Sequence, residues 1–379
     1  MATNQSTAGT TALGTTATVL RAAGRAGVAA CLWSDPGVGK SSLAAALADA
    51  DQVPYEVVLG SLREPSDFGG LPVVTGDGVA LHAPAWARRL IEAECGYLLL
   101  DELSTATPAV QAAMLGVVLD RTVGDVRLPA GVNVLTAANP PERAADGYDL
   151  APPLANRLLH IDFAPPTQDW LDGMTAGFRA PTPRRVHEPS PTRRAVSRAL
   201  IAAFLRRNPN LLHDYPTDPA TTGRAWPSRR TWTMTADVLA LLPETDTSAR
   251  MLAATGLVGP GAATEFLLWC QHADLPDPAD VLADPATVTW ADLDPSRAWV
   301  VLTGTVALAT APATTTAWRS GWAVLAAAAD AGLADVAAAC ARMLLTARPA
   351  NARPPREARA FTTLLTDAGL IPATTKATA

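Results

Sequence analysis

Residues 33–42 read Trp-Ser-Asp-Pro-Gly-Val-Gly-Lys-Ser-Ser and decide the fold of this chain. An apolar run, Val28–Trp33, precedes the glycines, and an alanine-rich stretch, Leu43–Ala50, follows them. This order predicts a buried strand, a tight turn and a helix, so that successive backbone N–H groups point at an anion at the helix N-terminus. The sequence therefore predicts a phosphate-binding loop.

The polar side chains of this loop suit a nucleoside triphosphate with magnesium. Lys40 would place a positive charge on the β- and γ-phosphates, and the Ser41 hydroxyl would ligate Mg²⁺. Ser34 stands where the general pattern has glycine, and a Gly-Lys-Ser tripeptide in an ordinary loop is the alternative interpretation. The predicted phosphate-binding residues are Asp35, Pro36, Gly37, Val38, Gly39, Lys40, Ser41 and Ser42.

Two acidic residues, Asp101 and Glu102, end a second apolar run that begins at Gly96. A run of this length predicts a buried strand of a parallel sheet, and ligands bind at the carboxyl ends of such strands. There Asp101 would hold Mg²⁺ through water, and Glu102 would polarise the water that attacks the γ-phosphate. The alternative is that the two acids cap the next helix.

Composition narrows the possible functions. The chain has 379 residues, 49% of them hydrophobic and 17% charged, which allows a sizeable core and two or three domains. Its net charge of −6 gives no overall attraction to nucleic acid. The four cysteines form no Cys-x-x-Cys pair, no secretory leader is recognisable, and the apolar stretches are short for a bilayer. We therefore expect a cytoplasmic protein without a membrane partner.

Strand and helix patterns alternate along the first half of the chain, which predicts an α/β fold with a parallel sheet. Two hairpins with Gly-Asp turns, near residues 71–81 and 121–128, interrupt the alternation. Beyond residue 191 the pattern favours helices alone. The predicted strands are Val28–Trp33, Pro54–Leu59, Tyr97–Leu100, Val132–Ala137 and Leu158–Phe163.

These patterns divide the chain into five predicted parts. They are a disordered tail (1–16), a nucleotide-binding α/β domain (17–165), a proline-rich linker (166–191), a helical lid (192–275) and a C-terminal helical extension (276–379).

Five ordered motifs resemble those of the MoxR-type AAA+ ATPases, in the clade marked by a helix-2 insert and a hairpin before sensor 1. They are Asp35–Ser41, Glu64–Gly70, Leu98–Leu103, Thr136–Pro140 and Leu154–Arg157. The resemblance covers about residues 17–232. It implies a P-loop AAA+ domain, ATP and Mg²⁺ as cofactors, a ring that is a homohexamer, and a protein client. It also implies a von Willebrand factor A-domain protein as a partner.

The resemblance carries three further site residues. Asn139 is similar to sensor 1, Arg157 to the arginine finger that completes a neighbouring subunit's site, and Arg230 to sensor 2, with Arg229 as the rival in register. The family has Asp-Arg-Phe where this chain has Asn-Arg-Leu at residues 156–158, and proline where it has Arg229. The plainer alternatives are an Asn-Pro turn, a salt bridge at a helix end and a surface arginine at a helix start.

The leading interpretation is a ring-forming ATPase with chaperone-like activity that remodels or activates a protein. A nucleic-acid-directed motor is the first alternative, but it predicts basic hairpins, and the turns here contain Asp77 and Asp125. A nucleotide-gated scaffold with slow turnover is the second alternative, which the departures at Ser34 and at residues 156–158 keep open.

Overall fold

The structure, a computed structural model, describes residues 12–362 and residue 366, apart from residues 77, 141–142, 144–146, 179, 272–274 and 312–313. The predicted tail lies outside the described residues as far as residue 11. Residues 12–16 are not a tail, because they open helix α1 (Ala12–Arg25). Arg184 fixes this end of the helix by donating to the hydroxyls of Thr15 and Thr18, both at 2.9 Å. The Thr/Gly/Ala composition resembles a loop, and these distant contacts make it a helix.

The chain forms two compact units. The sheet unit comprises Met1–Glu188 and Leu211–Thr264, and the helical unit comprises Pro189–Asn210 and Glu265–Ala379. The predicted boundaries at 192 and 276 do not coincide with this division. Helix α8 (Pro191–Arg207) belongs with the C-terminal helices because its Ala199 and Ala203 pack against Val300.

A five-stranded parallel sheet in the order β2-β5-β8-β1-β9 organises the sheet unit. All five predicted strands are confirmed, with ends shifted by one or two residues. The strands are β1 (Ala29–Trp33), β2 (Tyr55–Leu59), β5 (Cys95–Asp101), β8 (Gly131–Ala138) and β9 (Leu158–Asp162).

Strand β1 is the point at which the strand order reverses. From β1 the chain passes through α2 (Lys40–Asp51) to β2 at one edge of the sheet, whereas β9 lies on the other side of β1. In the register, Cys31 of β1 lies opposite both Thr136 of β8 and His160 of β9. The carboxyl end of a strand at such a reversal is where open parallel sheets bind their ligands.

Helices surround this sheet, and one of them falls inside the predicted proline-rich linker. Helix α7 (Thr167–Ala176) starts after Pro166 and ends at Gly177, whose φ is 87°. The proline and the glycine thus mark the ends of a helix within the segment that was expected to be a linker alone. The other helices of the unit are α3 (Ser66–Gly69), α4 (Ala85–Ala93), α5 (Pro108–Leu119), α6 (Pro152–Ala155), α9 (Pro219–Thr222), α10 (Arg229–Leu239) and α11 (Thr247–Val258).

The two predicted hairpins are present and are bonded to each other. They are β3–β4 (Leu71–Thr75 and Gly78–His82) and β6–β7 (Thr122–Val123 and Val126–Arg127). The Asp125 carboxylate accepts from the Leu81 N–H at 2.6 Å, and the Asp125 N–H donates to the Leu81 carbonyl at 3.1 Å. Asp125 is therefore a bridge between the hairpins, while Asp77 lies outside the described residues.

The helical unit also contains α13 (Pro278–Ala283), α14 (Pro295–Thr310), α15 (Thr315–Ala328) and α16 (Ala334–Thr346), with α12 (Pro260–Gln271) beginning in the sheet unit. By length and composition, the continuous stretch Thr315–Thr346 is apolar enough to cross a membrane. Gly332, with φ of 92°, breaks it into helices of 14 and 13 residues, and a membrane-spanning helix needs about 20. Trp318 and Trp322 are fully buried in the core of the unit.

Gly256→Ala tests how tightly α11 packs on the sheet. A Cβ at Gly256 would lie 2.3 Å from the His160 carbonyl oxygen, so α11 must move away from β9. We expect the free energy of unfolding to fall by about 1–3 kcal/mol in chemical denaturation.

Gly116→Ala is the matched control, because Gly116 also lies inside a helix and its Cβ would meet nothing closer than 3.6 Å. It should raise stability by about 0.5–1 kcal/mol. Equal effects of the two substitutions would contradict the close packing of α11.

Candidate nucleotide-binding site

The phosphate-binding loop connects β1 directly to α2. Ser34 continues the strand by donating its N–H to the Ala138 carbonyl at 3.3 Å. Gly37 and Gly39 have φ values of 79° and 104°, in the left-handed region that favours glycine, and α2 begins at Lys40. The strand, glycine turn and helix occur in the order that the sequence predicts.

Lys40 is buried, and its ammonium group is surrounded by oxygen atoms. The Nζ atom donates to Asn139 Oδ1 at 2.6 Å, to the Ser34 carbonyl and hydroxyl at 3.1 and 3.0 Å, and to the Asp35 carbonyl at 3.3 Å. Burial lowers the pKa of this ammonium group, and the nearby Asp101 carboxylate acts in the opposite direction. Polar groups that follow β1 and β8 thus hold the Lys40 ammonium group in position at the loop.

Ser41 and Asp101 meet beside Lys40. The Ser41 hydroxyl donates to Asp101 Oδ2 at 2.6 Å, and the Tyr55 hydroxyl donates to the Ser41 carbonyl at 3.1 Å. Within the described residues no group of three or more His, Cys, Asp or Glu is placed to hold a metal by itself. A hydroxyl and one carboxylate suit Mg²⁺ that takes its remaining ligands from phosphates and water. The residues fit the predicted cofactor.

Glu102 turns the chain sharply at the end of β5. Its φ is 57°, which is uncommon for a residue other than glycine, and its N–H donates to Asp101 Oδ1 at 2.8 Å. The Ser61 hydroxyl donates to the Glu102 carboxylate. Sequence reasoning missed Ser61 because it follows β2, which only the sheet brings next to β5.

Asn139, the predicted sensor 1, directly follows β8 and lies in the same cluster. Its backbone N–H donates to the Ser104 hydroxyl at 3.1 Å, and its side-chain oxygen accepts from Lys40. The carboxyl ends of β1, β5 and β8 thus bring Lys40, Asp101 and Asn139 together.

Arg157 lies at the amino ends of the strands, opposite the carboxyl ends that carry the phosphate loop. It precedes Leu158, which pairs with Ala29 at the start of β1, whereas Asp162 pairs with Trp33 at its end. Four residues of parallel strand, about 13 Å, separate these two levels. The Arg157 guanidinium donates to the Pro153 carbonyl. It therefore lies a strand length away from the phosphate loop of its own chain.

Arg230, the predicted sensor 2, lies beside Arg157. The hydroxyl of Ser228, the N-cap of α10, donates to Asn156 Oδ1 at 2.9 Å, which brings the start of α10 to this same edge. Burial lowers the pKa of Arg157, and the Arg230 guanidinium lowers it further. Arg229 and Arg230 are both exposed on the first turn of α10. The structure does not bring Arg230 to the phosphate loop of its own chain.

Comparisons with known proteins leave the family of this chain open. No protein-family model matches it, and no curated protein matches it. Among solved structures, the chain is similar to a 2.00 Å crystal structure of a "putative ATPase" from Cytophaga hutchinsonii. The identity is 15%, the match covers 67% of this chain and 80% of that one, and the TM-score is 0.39. A similarity at this level carries no argument about function. The parallel sheet and the loop at its reversal point define the fold as α/β with a phosphate-loop site.

Lys40→Ala should abolish nucleotide binding, because no other side chain described at the loop supplies a buried positive charge for the phosphates. Isothermal titration of the variant with MgATP should show no saturable binding.

Arg143→Ala is the matched control for the loss of a positive charge at the loop. Arg143 Nε lies 3.9 Å from Asp35 Oδ1, and both side chains are exposed. An exposed pair contributes about 0–1 kcal/mol, so the affinity should stay within about fivefold of wild type. Wild-type affinity in Lys40→Ala would remove the phosphate-loop assignment.

Proposed function

We propose that this protein binds MgATP at the phosphate loop and hydrolyses it. The observation that carries this proposal is the convergence of Lys40, Ser41, Asp101, Glu102 and Asn139 at one edge of the sheet. The cluster combines the Lys40 ammonium group, which Asn139 holds by a hydrogen bond, with the Ser41 hydroxyl and the Asp101 carboxylate, which suit a cation. The Glu102 carboxylate follows directly after Asp101. Phosphoryl transfer needs these groups for positioning and charge neutralisation.

Each residue of the cluster has one task in this proposal. When bound, Mg²⁺ supplies charge neutralisation at the phosphates. Lys40 keeps its contacts with Ser34 and exchanges its contact with Asn139 for phosphate oxygens, and the freed Asn139 amide orients a water molecule. Glu102 accepts the proton of that water. Ser61 holds the Glu102 carboxylate by donating to it.

Arg157 and Arg230, at the amino ends of the strands, support a nucleotide site that two subunits share. The like charge of Arg230 acts on Arg157, and Asp120 acts on Arg157 in the opposite direction. Holding two guanidinium groups near each other is unfavourable until an anion binds between them. Since their own phosphate loop is a strand length away, the triphosphate of a second subunit is the anion that we propose.

We extend the proposal to a MoxR-type AAA+ ring, a homohexamer that acts on a protein client, which this arrangement and the sequence motifs support. The turns of the two hairpins contain Asp77 and Asp125 and no lysine or arginine, and the net charge of the chain is −6. Both features favour a protein client over nucleic acid, which binds to basic surfaces. We carry the von Willebrand factor A-domain partner over from the resemblance alone, as part of the proposal.

One contact favours a second candidate, a nucleotide-gated scaffold with slow turnover. The Ser61 hydroxyl bonds to the Glu102 carboxylate, which is the group that would have to accept the proton of water. If this bond persists when ATP binds, hydrolysis is slow and the bound nucleotide mainly sets the assembly state.

Glu102→Gln should bind ATP with an affinity close to wild type but hydrolyse it at least about 100-fold more slowly, because the amide cannot accept the proton of the water. Phosphate release under single-turnover conditions measures this directly.

Ser61→Ala is the matched variant, since it removes the hydrogen bond and leaves the carboxylate. Turnover that rises well above wild type would favour the scaffold, with Ser61 as its restraint. Turnover within about threefold of wild type would favour the ATPase. Unchanged turnover in Glu102→Gln would mean that Glu102 only turns the chain after β5.

The Arg157→Ala and Lys40→Ala variants should each be inactive alone. Their co-expression should restore partial ATPase activity. In a mixed ring, the intact loop of an Arg157→Ala subunit can pair with the Arg157 of a Lys40→Ala neighbour. Arginines supplied in this way contribute about 10³–10⁵ in rate in other nucleotide hydrolases. Activity is measured on oligomers that carry two different affinity tags, so that only mixed rings are assayed.

Arg25→Ala is a control for the loss of an arginine from the sheet unit, because Arg25 pairs with Glu188, which belongs to neither cluster. It should keep wild-type turnover. Wild-type hydrolysis by Arg157→Ala alone would show that no subunit shares this arginine with its neighbour.

A further inference from the structure

One arginine, which the sequence motifs did not indicate, packs against strand β1, the strand that leads into the phosphate loop. The Arg224 guanidinium carbon lies 3.9 Å from the centre of the Trp33 ring, and Nη1 lies 3.0 Å from Asp162 Oδ1. Trp33 is the last residue of β1, and Asp162, the last of β9, is its register partner. Arg224 thus covers the sheet where the loop begins.

The indole of Trp33 is fixed on its other sides. Its Nε1–H donates to His160 Nδ1 at 2.9 Å, and the His160 Nε2–H donates to the Ala155 carbonyl at 2.9 Å. Burial lowers the pKa of His160 to about 4, so the ring stays neutral and keeps the tautomer that accepts from Trp33. Arg224 covers one face of the indole.

The contact with the ring is worth more than the ion pair. The Asp162 side chain is 86% exposed, and ion pairs as exposed as this contribute little. Trp33 is 3% exposed, so the guanidinium lies over a ring that is shielded from water, where cation–π attraction is stronger. The carboxylate serves mainly to orient the guanidinium over the ring.

One residue, Ser34, connects Trp33 to Lys40, so a displacement of Trp33 would displace groups that contact the lysine. Ser34 follows Trp33, and its carbonyl and hydroxyl provide two of the four oxygen contacts of the Lys40 ammonium. The Trp33 carbonyl is itself fixed by the Phe163 N–H at 2.7 Å. The position of the indole therefore sets the position of half of the lysine's contacts.

We infer that Arg224 is a positioning residue for the phosphate loop, which it keeps in its binding shape by covering the Trp33 indole. The inference rests on the proposed nucleotide binding. It assigns a role in binding to the segment that precedes α10, a role which the sequence motifs gave only to Arg229 or Arg230. Arg224 acts through Trp33 and needs no contact with the nucleotide.

Arg224→Gln in the full chain should raise the Kd for MgATP about three- to tenfold while kcat stays within about twofold, because Glu102 and Asn139 are untouched. Arg25→Gln is the matched control. Arg25 is 42% exposed and pairs with an acid that is 82% exposed, against 36% and 86% for Arg224 and Asp162. The control should lower thermal stability by no more than Arg224→Gln does and should leave the Kd unchanged. Arg224→Lys should restore part of the lost affinity.

A double variant tests whether Arg224 acts through Trp33. Trp33→Leu alone should raise the Kd, and adding Arg224→Gln to it should raise the Kd by less than about twofold more. A further rise equal to that of the single variant would show that Arg224 contacts the nucleotide, and would overturn the inference. If Trp33→Leu does not fold, Asp162→Asn replaces it, and this variant should raise the Kd about twofold. Wild-type affinity in Asp162→Asn would then overturn the inference.

Lys40→Ala in the same titration separates the two proposals. If Lys40→Ala does not bind and Arg224→Gln binds like wild type, the positioning role fails and the nucleotide site stands. If Lys40→Ala itself binds like wild type, the proposed nucleotide site fails, and the positioning role fails with it.

Discussion

The Lys40 ammonium group is the interaction on which the rest of the site depends. A buried positive charge is unfavourable unless polar groups surround it, and here carbonyl, hydroxyl and amide oxygens from the ends of β1 and β8 do so. These oxygens converge because the parallel register places the two strands side by side with their carboxyl ends level. The same edge carries Asp101 and Glu102 at the end of β5. The sheet thus fixes where opposite charges can be concentrated, and a triphosphate with its cation is the ligand that such a mixture of charges suits.

Because the five strands are parallel, all of them start on one side of the sheet, the amino edge, and end on the other, the carboxyl edge. The two edges differ chemically. The carboxyl edge holds the lysine, the acids and Asn139, while the amino edge holds Arg157 and Arg230, about one strand length away. An arginine side chain is too short to cross that distance within one chain. In the proposed function, the positive charge that phosphoryl transfer requires at its transition state is therefore divided between the two edges. A second copy of the chain, with its amino edge against this carboxyl edge, would bring the charges together. This constraint underlies the proposed ring.

The sequence predicted what local pattern determines and failed where distant contacts decide. Each strand of the sheet is a short apolar run, and the phosphate loop, Asp101 and Asn139 all lie in contiguous motifs, so their positions followed from the chain alone. The start of α1 depends on hydrogen bonds from Arg184, and α8 joins the helical unit through its alanines and Val300. Ser61 and Arg224 reach the site only because β2 and β9 fold beside β5 and β1. No local composition indicates such contacts.

The placement of Arg230 shows how tertiary structure can change the meaning of a motif. The resemblance gave Arg230 the place of sensor 2, and the Ser228–Asn156 hydrogen bond holds the start of α10 at the amino edge. Four residues earlier in the chain, Arg224 lies at the carboxyl edge on Trp33. The short stretch from Arg224 to Ser228 therefore has one contact at each end of β9. In a ring, this stretch would connect the nucleotide site of one subunit to the site that its Arg157 serves.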